Sequence, residues 1–299
     1  MRDLYSELIS AIPLDQQILA PEYATFLERK NLFLDRISPS KTLSVSVTDH
    51  ECQQKCAHCN GHYLNGMQSF TTIEKEKLRY YDAILISGGS TQAGSVPISK
   101  HFDAIMALPE SLRINLHPGF QPVENLLPLK QRNPIISFDL PGSDTVIKDV
   151  FKLPYSSKDF RELFVSYSKH FETVPHICIG LNRGQNSDEE STIDFLAGLP
   201  LKQAVFIIFR PTPGTEFADA QPPESARVVD LLKYAKAKLN CELLLGCMRP
   251  AGKYRSQIDI LAWLHGVNKI VQPDHTLLKI LKTHGIKIND YSNCCALNL

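Results

Sequence analysis

The stretch that decides the fold runs from His176 to Arg210. It opens on a short apolar run, His176-Ile-Cys-Ile-Gly-Leu181, and closes on a second, Ala204-Val-Phe-Ile-Ile-Phe-Arg210, with an amphipathic segment over 188–198 between them. Runs this short, rich in β-branched and aromatic residues, read as strands, whereas the segment between them has the length of a helix. Ser187 before Asp188-Glu-Glu supplies a helix start signal. Strand, helix, strand with both strands apolar throughout is the signature of a parallel pair buried on both faces.

The same unit recurs in both directions. Candidate strands fall at 43–49, 83–88, 113–117, 134–140, 176–181, 204–210, 242–247 and 269–272. Candidate helices lie at 72–80, 98–107, 122–132, 157–171, 188–198, 223–239, 253–264 and 275–284. Eight such units in about 240 residues predict an α/β fold, a (β/α)8 TIM-type barrel, over 41–285. The alternative is a partial (β/α)6 barrel with two added elements. A doubly wound sheet ranks third, because no strand is followed by G-x-G-x-x-G. Residues 1–40, with Leu4, Leu8, Phe26 and Leu27 near helical spacing, are expected to form an N-terminal helical cap, and 286–299 a tail carrying Cys294-Cys295.

Composition narrows the function. The 299 residues are 43% hydrophobic, and 32 basic residues balance 32 acidic ones. A balanced charge gives no footprint for nucleic acid or an anionic membrane surface. No apolar run reaches the ~18 residues of a transmembrane helix, and the acidic, mixed N-terminus is unlike a signal peptide. Eight cysteines, three of them clustered, fit metal binding in a reducing, cytoplasmic setting better than a disulfide framework.

The cluster is Cys52-Gln-Gln-Lys-Cys56-Ala-His-Cys59, directly after the first barrel strand. Three thiolates on one loop can hold three irons of a [4Fe–4S] cube and leave the fourth open. Zinc is the competing reading, with His58 or His62 as fourth ligand. In a barrel the chemistry sits where strands end, so the residues just beyond each strand are informative. Strand two is followed by Ser87-Gly88-Gly89-Ser90-Thr91, whose paired glycines permit close backbone approach to a ligand. Strand three ends at His117, a local hydrogen-bonding residue or one facing the mouth. Strand four ends at Asp139, a candidate acceptor for ribose hydroxyls, with Asp144 as its rival. Strand five leads into Gly180-Leu-Asn182-Arg183-Gly184, suited to a base and a carboxylate. Strand six ends in Arg210-Pro-Thr-Pro-Gly-Thr215, and strand seven in Gly246-Cys247-Met-Arg249-Pro, with Arg255 beyond. Cys247, Arg249 and Arg210 are the candidate catalytic residues. The vicinal Cys294-Cys295 can ligate a cluster, relay sulfur or form a redox disulfide.

The run from Ser44 to Met67, which holds the C-x₃-C-x₂-C spacing with His58 before the last cysteine, resembles the radical S-adenosylmethionine (SAM) superfamily. Cys59-Asn-Gly-His-Tyr-Leu64, Pro211-Thr-Pro-Gly-Thr215 and Gly246-Cys-Met-Arg-Pro250 look like its biotin-synthase-like branch, and the chain is similar to the two-component lipoyl synthases of archaea and some bacteria. The resemblance implies that Cys52, Cys56 and Cys59 hold a [4Fe–4S] cluster. It implies a SAM site drawn from His58, Ser87, Gly88, Gly89, Ser90, Thr91, Asp139, Asn182 and Arg183. Superfamily members often carry Glu after the paired glycines; Ser90 stands here. The implied activity is cleavage of SAM to a 5′-deoxyadenosyl radical that takes hydrogen from an organic substrate. An electron donor such as ferredoxin or flavodoxin would supply the electron. For lipoyl synthesis the substrate is an octanoyl chain on an acylated carrier protein, and the reaction inserts sulfur. A second Fe–S cluster would then be the sulfur source, with Cys247, Cys294 and Cys295 as ligands and Cys178 and Cys241 in reserve. The extra cysteine triplet of single-chain lipoyl synthases is absent from the sequence. Rearrangement or cofactor maturation without sulfur insertion is the alternative activity, and a non-catalytic Fe–S or zinc protein the alternative class.

Overall fold

The structure is a computed structural model that describes residues 1–297; the last two residues of the expected tail lie outside it. Among the described residues, eleven parallel strands form one curled sheet: β1 (Phe33–Ile37), β2 (Thr42–Ser46), β3 (Gln68–Ser69), β4 (Ala83–Ser87), β5 (Arg113–Leu116), β6 (Ile135–Asp139), β7 (Thr173–Ile179), β8 (Gln203–Ile208), β9 (Glu242–Leu245), β10 (Lys269–Val271) and β11 (Lys287–Tyr291). Their order is β11-β1-β10-β9-β8-β7-β6-β5-β4-β2-β3. All eight expected barrel strands are present and neighbour one another in chain order. The ring does not close by strand pairing: β10 pairs with β1, and β1 with β11, rather than with β2. The sheet is therefore TIM-like but open between its outer edges.

Two of these strands correct the expected boundaries. Residues 1–40 supply not only helices α1 (Arg2–Ser10) and α2 (Tyr23–Leu27) but also β1, and the expected tail begins with β11. Both strands hid behind polar residues. Asp35 of β1 is nonetheless buried, with its carboxylate accepting a 2.8 Å hydrogen bond from Asn289 of β11.

The α-helices after β6 have nine to fourteen residues, whereas the α-helix between β3 and β6 is short. α4 (Ser157–Ser168), α5 (Glu189–Ala197), α6 (Ser225–Lys238), α7 (Lys253–Leu264) and α8 (His275–Thr283) cover the later strands. Before them stand α3 (Phe102–Met106) and 3-10 turns, including Val123–Arg132, where Pro128 lacks an amide donor. α4 is capped at Ser156, whose hydroxyl and the Asp159 carboxylate cap each other's amides.

Strand residues alternate between two faces. Ile84, Ile86, Ile114, Leu116, Ile136, Phe138, Ile177, Ile179, Phe206 and Ile208 join the large core under the helices. Their neighbours Ala83, Leu85, Ile135, Val174, Val205 and Ile207 point into the barrel. That interior parity continues through Asn115, His117, Ser137, Asp139, His176 and Cys178. The barrel is thus apolar at its foot and polar and thiol-bearing toward the strands' C-terminal ends. Residues 294–297 pack into the foot: Cys294, Ala296 and Leu297 are buried in the interior cluster.

Candidate active site

Cys52, Cys56 and Cys59 open onto one cavity of about 190 Å³, lined also by His58, Ser90, His117, Ser137 and Asp139. Two neighbouring segments hold the cysteine loop. On one side the Gly-Gly loop lies against it: the Ser90 carbonyl accepts from the Gln53 and Gln54 amides at 2.9 and 3.3 Å. The Gly89 amide donates to the Thr48 hydroxyl at 2.6 Å, and that hydroxyl donates to the Glu51 carbonyl at 2.9 Å. On the other side lies the segment after β6, which contains a π-helical turn over Val146–Val150. The Ala57 amide donates to the Val150 carbonyl, and the Gln54 side chain to the Phe151 carbonyl, both at 2.8 Å. A π turn of this kind is frequent beside functional sites.

A third brace joins two of the sequence motifs. The Tyr63 hydroxyl meets the Thr212 hydroxyl at 2.9 Å, and the Asn60 amide donates to the Gly214 carbonyl at 3.4 Å. The segment after the cysteines is thereby docked on the Pro211–Thr215 loop, with Arg210 electrostatically close to Tyr63.

The donor atoms of Cys56, His58 and Cys59 lie within 4.8 Å of one another. The Cys59 thiol is held down, to about 4, first by the hydrogen bond from Cys56 and then by His58, while the same partner and burial push Cys56 up. His58 Nδ1 is buried with no hydrogen-bond partner among the described residues. Thiols, an easily formed thiolate and an orphaned imidazole nitrogen are a donor set that suits a soft cation. A single ion fits the tight group Cys56–His58–Cys59, whereas a cube that places each thiolate on a separate iron would draw in Cys52 as well.

Asp139 ends β6 with its carboxylate in the cavity and no hydrogen bond to the described residues. Burial raises it, opposed by His176 and His58. Its register partner across β7 is His176. His176 is buried, with Nδ1 at 3.2 Å from the Val174 carbonyl and Nε2 at 3.6 Å from Cys295 Sγ. His117 stands 5.5 Å from His176, ring to ring, and burial holds it down to about 3. Both imidazoles are therefore neutral, and Cys178 and Cys295 are thiols whose ionisation burial strongly opposes. No fixed charge intrudes from these residues.

Other expected residues stand elsewhere. Thr91 bonds to Ser95 across its own loop at 2.8 Å, and Ser87 to the His117 carbonyl at 3.4 Å. Asp144 caps the Ser157 amide at 2.7 Å, a structural task. Asn182 and Arg183 belong to the loop after β7, with the Arg183 guanidinium over Phe217 at 5.0 Å. There Leu181, Ser187 and Glu189 line an adjoining cavity of about 60 Å³ that shares His58, Asp139 and Phe151 with the first. Glu189 is buried, accepting from the Gly180 and Ser187 amides at 2.7 and 3.1 Å and pairing with Arg227 at 2.7 Å. Arg249 does not reach the mouth, contrary to the catalytic role expected of it. It is buried in a two-point ion pair with Asp259 and donates to the Gly246 and Val271 carbonyls, so its guanidinium is held within the fold. Arg255 likewise donates to the Gln272 carbonyl at 3.0 Å.

Cys247, just beyond the end of β9, is accessible, and its surroundings raise its thiol, desolvation first. The folded tail brings Cys294 and Cys295 into electrostatic range of it. The three sulfurs do not form a compact trio: among the described residues only Cys56, His58 and Cys59 have three donors within 4.8 Å. Cys294 Sγ instead accepts from the Asn115 amide at 3.4 Å. Cys241 lies at the other end, beside Glu242 near the start of β9.

Sequence reasoning missed His176, Glu189, Gln54, Thr48 and Phe151. His176 and Glu189 had a signal, interior parity and a carboxylate within a βα turn. The others act through backbone contacts that no pattern announces.

No protein-family model matches the chain, nor does any curated protein sequence. The fold is shared with solved structures. One is methylornithine synthase (PylB), at TM-score 0.55 and 14% identity over 96% of this chain and 97% of that one. Another is HydG, a maturase of the [FeFe]-hydrogenase, at TM-score 0.60 and 14% identity over 99% of this chain and 76% of that one. HydG from Carboxydothermus hydrogenoformans is similar at TM-score 0.59 and 12% identity, over 92% and 72% of the two chains. At such identities the likeness is one of fold.

Proposed function

We propose that the chain is a radical SAM enzyme. One observation carries this reading: Cys52, Cys56 and Cys59 open onto a single cavity at the C-terminal end of the sheet, on a loop braced by Gly88-Gly89-Ser90. Cys52, Cys56 and Cys59 would hold a [4Fe–4S] cluster with SAM, a pair that supplies one-electron cleavage of the sulfonium to a 5′-deoxyadenosyl radical. The chain's own part is positioning and exclusion. Asp139, with no hydrogen bond to the described residues, would take ribose hydroxyls. The Ser90 carbonyl is committed to the Gln53 and Gln54 amides, so it braces the loop rather than the ligand. Phe151, whose ring lies 5.8 Å from that of His58, screens the site from water.

The adjoining cavity has an apolar wall at Leu140, Val146 and Ile207 and a neutral imidazole at His176, with Asp139 and the ion-paired Glu189 as its carboxylates. That suits an alkyl chain, and hence the octanoyl chain of an acylated carrier protein in the biotin-synthase-like, lipoyl-synthase-like reading. A specific observation favours sulfur insertion over maturation or rearrangement: accessible Cys247, with Cys295 in electrostatic range, would give a second Fe–S cluster soft donors. Cys294, bonded to Asn115, is the weakest of the three expected ligands. Ferredoxin or flavodoxin is the proposed electron donor.

Anaerobic reconstitution tests both levels. Reduced protein with SAM should release 5′-deoxyadenosine and methionine, and their absence would defeat the enzyme reading. About eight irons per chain would support the second cluster, and about four would favour maturation or rearrangement.

A further inference from the structure

Polar side chains inside a barrel must find partners, because an unsatisfied buried group costs roughly 1–3 kcal/mol. Asn115, Ser137, His176 and Gln203 are all buried on the interior face. Their partners come mostly from one place, the segment after β11. Gln203 Nε2 donates to the Cys295 and Ala296 carbonyls, each at 3.3 Å. Asn115 donates to Cys294 Sγ at 3.4 Å and accepts from Ser137 at 2.9 Å. His176 faces Cys295 at 3.6 Å, and Thr42, at the start of β2, accepts from the Cys294 amide at 2.9 Å. Ala296 and Leu297 complete the seat among Ile135, Val174, Val205 and Leu244. Five strands and β2 thus each contribute to a receptor for residues 294–297 of the same chain.

We propose that residues 293–297 are an intramolecular plug that closes the foot of the barrel, opposite the cysteine loop. Gln203 is the positioning residue of the plug: its side chain holds two consecutive carbonyls and makes no other hydrogen bond among the described residues. Cys294 and Cys295 lie within electrostatic range of Cys247, so the plug also covers that thiol from the foot.

The test is hydrogen exchange and thiol labelling of the full chain. The Cys294 and Leu297 amides should exchange at least about a hundredfold slower than in the unfolded chain, and Cys294 should resist iodoacetamide to a similar degree. Gln203→Ala should speed both by about tenfold while the β7 and β8 amides keep their protection. Deleting residues 293–299 should raise the alkylation rate of Cys247 about tenfold in protein that keeps its sheet protection. Unfolded-rate exchange or labelling at Cys294 in the unaltered chain would overturn the plug, and so would an unchanged Cys247 rate in the folded deletion variant.

Discussion

A Cβ placed on Gly89 would stand 1.8 Å from the Glu51 carbonyl oxygen and 2.6 Å from Cys52 Cα. The second glycine of the pair is therefore required by the cysteine loop, against whose backbone it is pressed. Gly89→Ala should displace that loop and lower the iron bound after reconstitution severalfold, measured by iron analysis. Gly88→Ala should be milder. Its Cβ would meet only side-chain atoms of Val47, Thr48 and Val96, at 3.0–3.3 Å, which can give way.

Arg249 and Asp259 are both fully buried and paired at 2.7 Å. Removing one partner strands the other charge, so Arg249→Ala should cost about 3–5 kcal/mol in urea unfolding. The double variant Arg249→Met/Asp259→Leu should recover most of that, because neither charge is then left alone. An Arg249→Ala protein of unchanged stability would show that the pair does not hold the fold.

Glu189 ties the Gly180 turn to α6 through two amides and Arg227. Glu189→Ala leaves those donors unmet and should destabilise by about 2–4 kcal/mol. Glu189→Gln, which keeps an acceptor, should lose less, and urea midpoints for the two variants check the order.

Burial lowers His117 from an ordinary histidine value to about 3. The unfolded chain therefore binds a proton near pH 6.5 that the folded chain refuses. Stability from this group is full above that pH and falls as pH drops toward 3. The loss between pH 7 and pH 5 is about 2 kcal/mol. His176, lowered by the same cause, adds to it in the same direction. His117→Gln should flatten the pH dependence of the urea midpoint across that window; an unchanged slope would mean that the ring is solvated.

The barrel was legible in the sequence because its strands are apolar on both faces, as 176–181 and 204–210 illustrate. β1 and β11 were not, since Phe33-Leu-Asp-Arg-Ile37 and Lys287-Ile-Asn-Asp-Tyr291 carry charges that only their pairing explains. The cysteine loop was legible from spacing alone. The destinations of Arg249 and of the tail were not, because a buried ion pair and a seated plug depend on residues far away in the chain, Asp259 in one case and Asn115, His176 and Gln203 in the other. Alternation within a strand could have revealed His176, two residues before Cys178 on the same face.

Whether Cys52, Cys56 and Cys59 form an iron–sulfur site that acts on SAM is tested most directly by 5′-deoxyadenosine release from anaerobically reconstituted, dithionite-reduced protein, with bound metal quantified in the same sample. The expected result is at least about four irons per chain, release of 5′-deoxyadenosine, and loss of that release when any one of the three cysteines is changed to Ala. One zinc per chain held by Cys56, His58 and Cys59, or a full iron complement that leaves SAM intact, would contradict it.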